Sequence, residues 1–284
     1  TAIDRTNSFS MAHVLIPTDL SENARKAAIY AVELYGTEGN TFTLLNCYAM
    51  PHGTRSTMVD FSERLGQDAL EDLTEFEREL REALPGRSPI MGLATEHGNL
   101  TEVLKRYEEL PTRSDLIVMG TQGATGLKRI LVGSNAASVI LRVRTPVLAV
   151  PAQAVYKVPE RIILLDDGRT LDKPDLQQLL NILEHSGADL MVVHVERSGQ
   201  PVPPLVDSAA LKELLGSVPR THHSIKESNL IVELNELADK HNADIIAVPH
   251  RHRSQFERYF HRSMSSRLAM NTRIPMLVLQ LGDN

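Results

Sequence analysis

The feature that most constrains this chain is that it is written twice. At an offset of 148 residues, "HVLIPTDLSE" (13–22) lies over "RIILLDDGRT" (161–170). Val14, Leu15 and Ile16 then fall on Ile162, Ile163 and Leu164, and Asp19 falls on Asp167. The same offset carries "FTLLNCY" (42–48) onto "LMVVHVE" (190–196). Further on, "SDLIVMG" (114–120) lies over "ADIIAVP" (243–249), and "TPVLAV" (145–150) over "IPMLVL" (274–279), now at an offset of 129. Four segments that keep their order imply a duplication. The second copy is shorter by the difference of the two offsets, 19 residues, and the loss falls between its second and fourth strands.

Each copy alternates short β-branched runs with longer amphipathic stretches. In the first, strands are expected near 13–18, 41–48, 89–95, 115–119 and 146–150. Between them, Ser21 to Tyr35 places Ala24, Ala27, Ala28, Ala31 and Leu34 on one helical face and ends at Gly36. A longer helix near 60–84 presents Leu73, Phe76, Leu80 and Leu84. Strands alternating with helices predict parallel pairing with right-handed crossovers. The expected fold class is α/β, two tandem open parallel sheets, with domains at 1–150 and 161–284. "PAQAVYKVPE" (151–160), with two prolines and no periodicity, reads as the linker.

Composition narrows the function. A length of 284 residues suits two domains, and 42% hydrophobic with 23% charged residues is globular. A net charge of −6 supplies no general basic field, which disfavours bulk nucleic-acid binding. The single cysteine, Cys47, excludes an internal disulfide and fits a reducing compartment. No apolar run approaches the roughly 18–20 residues that span a bilayer. The opening "TAIDRTNSFS" lacks the apolar core of a signal peptide. A cytoplasmic protein with no membrane partner is expected.

The most specific stretch is "MGTQGATGLKRILVGSNAASVI" (119–140), which leads out of an apolar run and into an apolar-periodic segment. Its spacing is Gly120-x2-Gly123-x9-Gly133-Ser134. That is neither a Walker loop nor the G-x-G-x-x-G of dinucleotide folds. Glycines at 120 and 123 let backbone N–H groups approach an anion and permit positive φ. Gly133-Ser134 then opens a helix, whose free N–H groups and dipole favour phosphate. Lys128 and Arg129 either reach terminal phosphates or face water. The plainer reading is a glycine-rich turn with Ser134 as an ordinary N-cap.

Here the sequence resembles the universal stress protein family, whose nucleotide-binding members carry G-x2-G-x9-G-[ST] after the fourth strand. Pro17-Thr18-Asp19 after the first strand is similar to the family's pattern as well. The resemblance covers nearly the whole chain, in the tandem form. It implies a Rossmann-like, adenine-nucleotide-binding fold, with ATP (with or without Mg²⁺) in the first domain. Carried over, Asp19 accepts hydrogen bonds from adenine or ribose, Cys47 forms one wall of the base pocket and Met119 covers the other side. Gly120, Gly123, Gly133 and Ser134 take the phosphates, followed by Asn135 and Ala136. Each has a plainer alternative: Asp19 caps the next helix, with Ser21 sharing that role, while Cys47 and Met119 are packing. The family also implies pairing through fifth strands, either as an internal pseudo-dimer or between two chains.

The resulting expectation is an ATP-binding regulatory protein of the stress response. A slow ATPase on the same sheet is one alternative, but it needs a base, a metal-holding carboxylate and an acceptor pocket, and the sequence nominates no such set. A nucleotide-independent interaction scaffold is the other. The second copy departs from the motif: Pro249, His252 and Arg262 replace the glycines, and only Ser263 survives. Asp167 remains, yet no nucleotide is expected there. In its place stands "HRHRSQFERYFHR" (250–262). This is read as a solvated loop, as a docking surface for an anionic ligand or partner around Arg251, Arg253 and Arg258, or as a metal site. The metal reading would join His250 and His252 with His261 or with His222 and His223.

Overall fold

Ten strands lie in one sheet in the computed structural model of the chain, which describes residues 12–49, 58–121, 134–166, 168, 171–196, 206, 208–251 and 273–282. The first copy supplies β1 (His13–Thr18), β2 (Thr41–Tyr48), β3 (Ile90–His97), β4 (Leu116–Gly120) and β5 (Val147–Val150). The second supplies β6 (Arg161–Asp166), β7 (Asp189–Glu196), β8 (Arg220–Lys226), β9 (Ile245–Arg251) and β10 (Met276–Leu281). Their spatial order is β3-β2-β1-β4-β5-β10-β9-β6-β7-β8. Each half is therefore wound alike, with its first strand between its second and fourth. All pairings are parallel except β5 with β10, which run antiparallel with Ala149 opposite Met276 and Val147 opposite Val278. Of the two pairings of fifth strands that the resemblance implies, within the chain or between chains, the halves join by the internal one.

The helices of the first half are α1 (Glu22–Tyr35), α2 (Met58–Glu82), α3 (Leu100–Glu108) and α4 (Ser134–Arg142). Those of the second are α5 (Lys173–Ser186), α6 (Ala209–Leu215) and α7 (Leu230–His241). The alanine stripe expected along 21–35 is buried, and α1 ends where Gly36, at φ 70°, returns its N–H to Val32 O. The shortening of the second copy sits in the crossover between its second and third strands. There the 25-residue α2 is answered by α6, of 7 residues, and all five strands survive.

With helices on both faces, the strands read as continuous apolar runs rather than alternating ones. One core layer packs the sheet against α1, α2, α5 and α6, and the other packs it against α3, α4 and α7; both layers run across the two halves. Tyr35 Oη donates to Gln178 Oε1 at 2.9 Å, tying α1 to α5. Residues 151–160 contain no helix or strand, and parts of them are held against the two halves. Tyr156 meets Tyr30 edge to face with centroids 5.3 Å apart, and Lys157 Nζ sits 2.6 Å from Asp244 Oδ1.

The duplication also extends to polar detail. Asp115 accepts from His13 N–H at 2.8 Å through Oδ2 and returns its own N–H to His13 O at 2.9 Å. Asp244, its equivalent, accepts from the N–H groups of Glu160 and Arg161 and returns its own to Arg161 O. In each half, one aspartate pins the start of the first strand to the start of the fourth.

Candidate functional site

The site is opened by a ladder that stops early. β1 pairs with β2 along six residues, as far as Thr18 opposite Asn46. Towards β4 it pairs only at Val14 with Leu116 and Leu15 with Ile117. Pro17, which has no N–H to give, falls beyond that last pair, where the strands part. This crevice lies at the carboxyl ends of β1 and β4, where the winding direction reverses and open α/β sheets bind ligands.

The Pro17-Thr18-Asp19 turn is held from several sides. Thr18 O accepts from Asn46 Nδ2 at 2.9 Å, and Thr18 Oγ1 accepts from Leu20 N–H at 2.9 Å. Leu20 takes a left-handed φ of 62°. Ser21 is the N-cap of α1 and accepts from Ala24 N–H at 3.2 Å. Asp19 accepts from Ser21 N–H at 3.2 Å and is exposed at the mouth of the crevice. The N-cap position of α1, weighed for Asp19, is held by Ser21.

Gly120 ends β4 on the opposite wall. Its φ is not in the positive range that the sequence reading allowed for. Glycine is needed there because α1 lies on top of it. A Cβ at 120 would stand 2.5 Å from Asn23 Nδ2 and 3.2 Å from Asn23 O. Met119 and Ala136 are 5% and 2% exposed and share a core layer with Leu15, Leu45 and Val139, against which the half-buried Cys47 packs. Burial, with Glu96 nearby, pushes the Cys47 thiol up to about 11, so it is protonated at neutral pH. α4 begins at Ser134, and Asn135 is exposed. Gly123, Gly133, Lys128 and Arg129 lie outside the described residues.

Beside Cys47, Glu96 on β3 is held by Arg106 at 3.2 Å and accepts from Tyr107 Oη at 3.3 Å. Sequence reading missed this acidic neighbour of Cys47, because nothing local marks one glutamate among many. A cavity of about 320 Å³ lies elsewhere, between the linker, Tyr30, α7 and the start of β10.

In the second half the equivalent turn has different chemistry. Asp166 and His194 occupy the positions of Thr18 and Asn46 at the offset of 148. Asp166 Oδ2 is 2.7 Å from His194 Nδ1, and Oδ1 accepts from Gly168 N–H at 2.8 Å. His194 Nε2 then lies 3.3 Å from His222 Nδ1, with the rings within 11° of parallel. This carboxylate–imidazole–imidazole chain was also missed, since it joins three strands that are far apart in sequence. Pro249 lies inside β9, where it offers no N–H. Of the basic stretch, only His250 and Arg251 are described; Asp167, His252, Arg253, Arg258, His261, Arg262 and Ser263 are not. Among the described residues, no group of three or more His, Cys, Asp or Glu side chains could hold a metal ion. No helix among them is long and apolar enough to cross a membrane.

Known proteins agree with this architecture. A universal stress protein from Archaeoglobus fulgidus superposes with a TM-score of 0.68 at 20% identity, covering 96% of this chain and 97% of that one. A functionally unknown protein from Pseudomonas aeruginosa gives a TM-score of 0.57 at 16% identity, over 95% and 92% of the two chains. Both likenesses are of fold. In sequence, a universal stress protein of Methanocaldococcus jannaschii is 28% identical over 152 residues, which is 48% of this chain and 80% of that protein. The universal stress protein family model matches residues 11–151 and again 202–280. With Gly120 closing β4 and the Asp19 turn following β1 on a twice-wound sheet, and with the family model matching both halves, the chain belongs to the universal stress protein family.

Proposed function

We propose that the first half binds an adenine nucleotide, ATP with or without Mg²⁺, and that the protein acts as a regulatory switch in the stress response. The observation that carries this reading is the crevice between β1 and β4. It opens where their ladder stops, with an exposed carboxylate at Asp19 on one side, Gly120 on the other and the start of α4 at Ser134 beyond. Asp19 suits a ribose or base donor, and a helix N-terminus suits phosphate. Gly123 and Gly133 would complete the cradle.

We divide the chain functionally at 1–150, 151–160 and 161–284, with nucleotide in the first part only, in the cytoplasm. The reading assigns no catalytic residue: the Cys47 thiol is held protonated, and Asp19 is committed to recognition. Turnover, if any, is slow hydrolysis. A homodimer would have to use an edge other than β5 or β10, which already satisfy each other. The basic stretch containing Arg251, Arg253 and Arg258 is assigned to an anionic partner.

Mass spectrometry of gently purified, then denatured protein tests the proposal. Co-purifying ATP supports a sensor and ADP indicates turnover. An empty site that also fails to take up ATP in solution would leave the nucleotide-independent scaffold as the function.

A further inference from the structure

β10 reads Met-Leu-Val-Leu-Gln-Leu, five apolar residues and one amide, and all six are buried. Gln280 is 9% exposed, and its Nε2 donates to the main-chain oxygen of Ile140, 2.9 Å away in the other half. Its Oε1 is equally buried and has no hydrogen-bond partner among the described residues. An unmet buried acceptor costs stability. A leucine would avoid that cost but would leave the buried Ile140 oxygen without its donor, so the glutamine is tied to that contact.

The acceptor gives the contact its meaning. Ile140 lies in the last turn of α4, where carbonyls lack intrahelical partners. The next amides are engaged elsewhere. Val143 N–H returns to Val139 O, while the N–H groups of Arg144 and Thr145 donate to Glu108 Oε1 at 2.6 and 2.7 Å. Gln280 therefore closes the carboxyl end of α4 from the second half. The antiparallel junction sets this up. Val278 faces Val147, so two residues further on Gln280 comes level with Thr145, in the turn between α4 and β5. The amino end of the same helix is Ser134, six residues away, or about 9 Å at 1.5 Å per residue.

We infer that Gln280 is a positioning residue for the phosphate-binding end of α4, supplied to the first half's site by the second. The inference rests on the nucleotide reading above. A donor at a helix carboxyl end is favoured by the dipole, and fixing that end limits how far the amino end can tilt away from a phosphate. The arrangement runs one way: at the offset of 129 the first half places Pro151 where the second has Gln280, and proline donates nothing. On its other side Gln280 pairs with His250 of β9, which is 0% exposed and leads into Arg251. One residue thus joins the end of α4 to the root of the basic stretch.

The test uses the full chain with Gln280→Leu and Gln280→Met, which keep volume and remove the donor. ATP is titrated calorimetrically, and hydrogen–deuterium exchange is followed over 134–142 and 276–282 with and without ATP. In the wild type, ATP is expected to slow exchange in both segments. In the variants, ATP should bind about three- to tenfold more weakly, the worth of one hydrogen bond, and 276–282 should stop responding. A purely structural role would lower stability and leave the ATP-dependent response intact. Wild type that binds ATP, with folded variants of unchanged affinity and unchanged response, overturns the role of Gln280 alone. Wild type that binds no ATP overturns the nucleotide reading itself, and the positioning role with it. If Gln280→Leu does not fold, Gln280→Met decides.

Discussion

Asp166 and His194 face each other across β6 and β7 at 2.7 Å, in the positions that Thr18 and Asn46 hold across β1 and β2. In the first half a neutral amide ties the turn to its neighbour. In the second a carboxylate and a nearly buried imidazole do so, and the imidazole continues to His222. His194→Ala should therefore destabilise the protein by about 1–3 kcal/mol, since it empties a buried position and removes the contacts to the partly buried Asp166 and His222. Urea unfolding measures it. Asn46→Ala is expected to fall within the same range, because it strands a buried acceptor, Thr18 O. A His194→Ala protein as stable as wild type would show the chain to be incidental to the fold.

Gly120 gives a second prediction that separates packing from ligand binding. Gly120→Ala drives a methyl into Asn23 and should cost about 1–3 kcal/mol as an overpacking change. The close contact is with the Asn23 amide as well as its main-chain oxygen, so Asn23→Ala in the same chain should recover part of the loss. A double-mutant cycle on melting temperature reads the coupling. If the double mutant shows no coupling, Asn23 is not what requires glycine at 120.

The Cys47 thiol is pushed up to about 11 by burial and by Glu96. Since the thiolate is the reactive form, iodoacetamide at pH 8 should modify native protein at least about tenfold more slowly than the same chain in urea. Equal rates would place the thiol in a far more open setting than its half-buried position opposite Glu96.

How far the sequence could be read follows from the range of each interaction. The strands and α1 were legible because apolar runs and an alanine stripe repeat locally, and because Gly36 stops the helix through its own φ. Parallel pairing within each half was legible because strands alternate with helices, whereas the strand order and the merging of both halves into one ten-stranded sheet were not. Three further features were not legible. The contact of Asn23 with Gly120, the chain from Asp166 to His222, and the cap of Gln280 on Ile140 all join residues distant in sequence. None of these residue types carries a local signature. In the candidate site, the turn at Asp19 was recognisable from its neighbours, whereas the reason for glycine at 120 appears only once α1 is laid across β4.

Acid should weaken the edge of the second half. Burial lowers the His223 pKa, and the neighbouring His241, Lys240 and His222 lower it further. A histidine depressed in the folded state takes up its proton more readily once unfolded. Stability is then fully present above the ordinary value near 6.5 and is lost as pH falls below it towards the folded value. His223 stands edge-on to His241 at 5.1 Å, so β8 and α7 should loosen together. Urea midpoints at pH 7.5, 6.5 and 5.5 for wild type and His223→Gln measure this. The variant should gain on wild type as pH falls, and a constant difference would remove His223 from the account.

The nucleotide reading makes its sharpest claim about stoichiometry. Two halves that share a sheet order would hold two nucleotides if the fold alone decided, but the second half departs from the first at each glycine of the motif. Pro249 sits in β9 where the first half has Gly120, two residues before the end of the strand, and supplies no backbone donor there. His252 and Arg262 stand in sequence where Gly123 and Gly133 would, and neither residue type takes positive φ cheaply. Asp166, at the end of β6, is engaged with His194 rather than presented to a ligand. Calorimetric titration with ATP and Mg²⁺ should therefore give one site per chain. Gly123→Val should weaken that site without unfolding the protein, since a β-branched residue disfavours positive φ and crowds the approach of phosphate. Asp19→Ala should weaken it as well, and neither change should create or remove a second site. Two equivalent sites would mean that the glycine spacing is dispensable, and a folded Gly123→Val protein of unchanged affinity would return the loop to an ordinary turn.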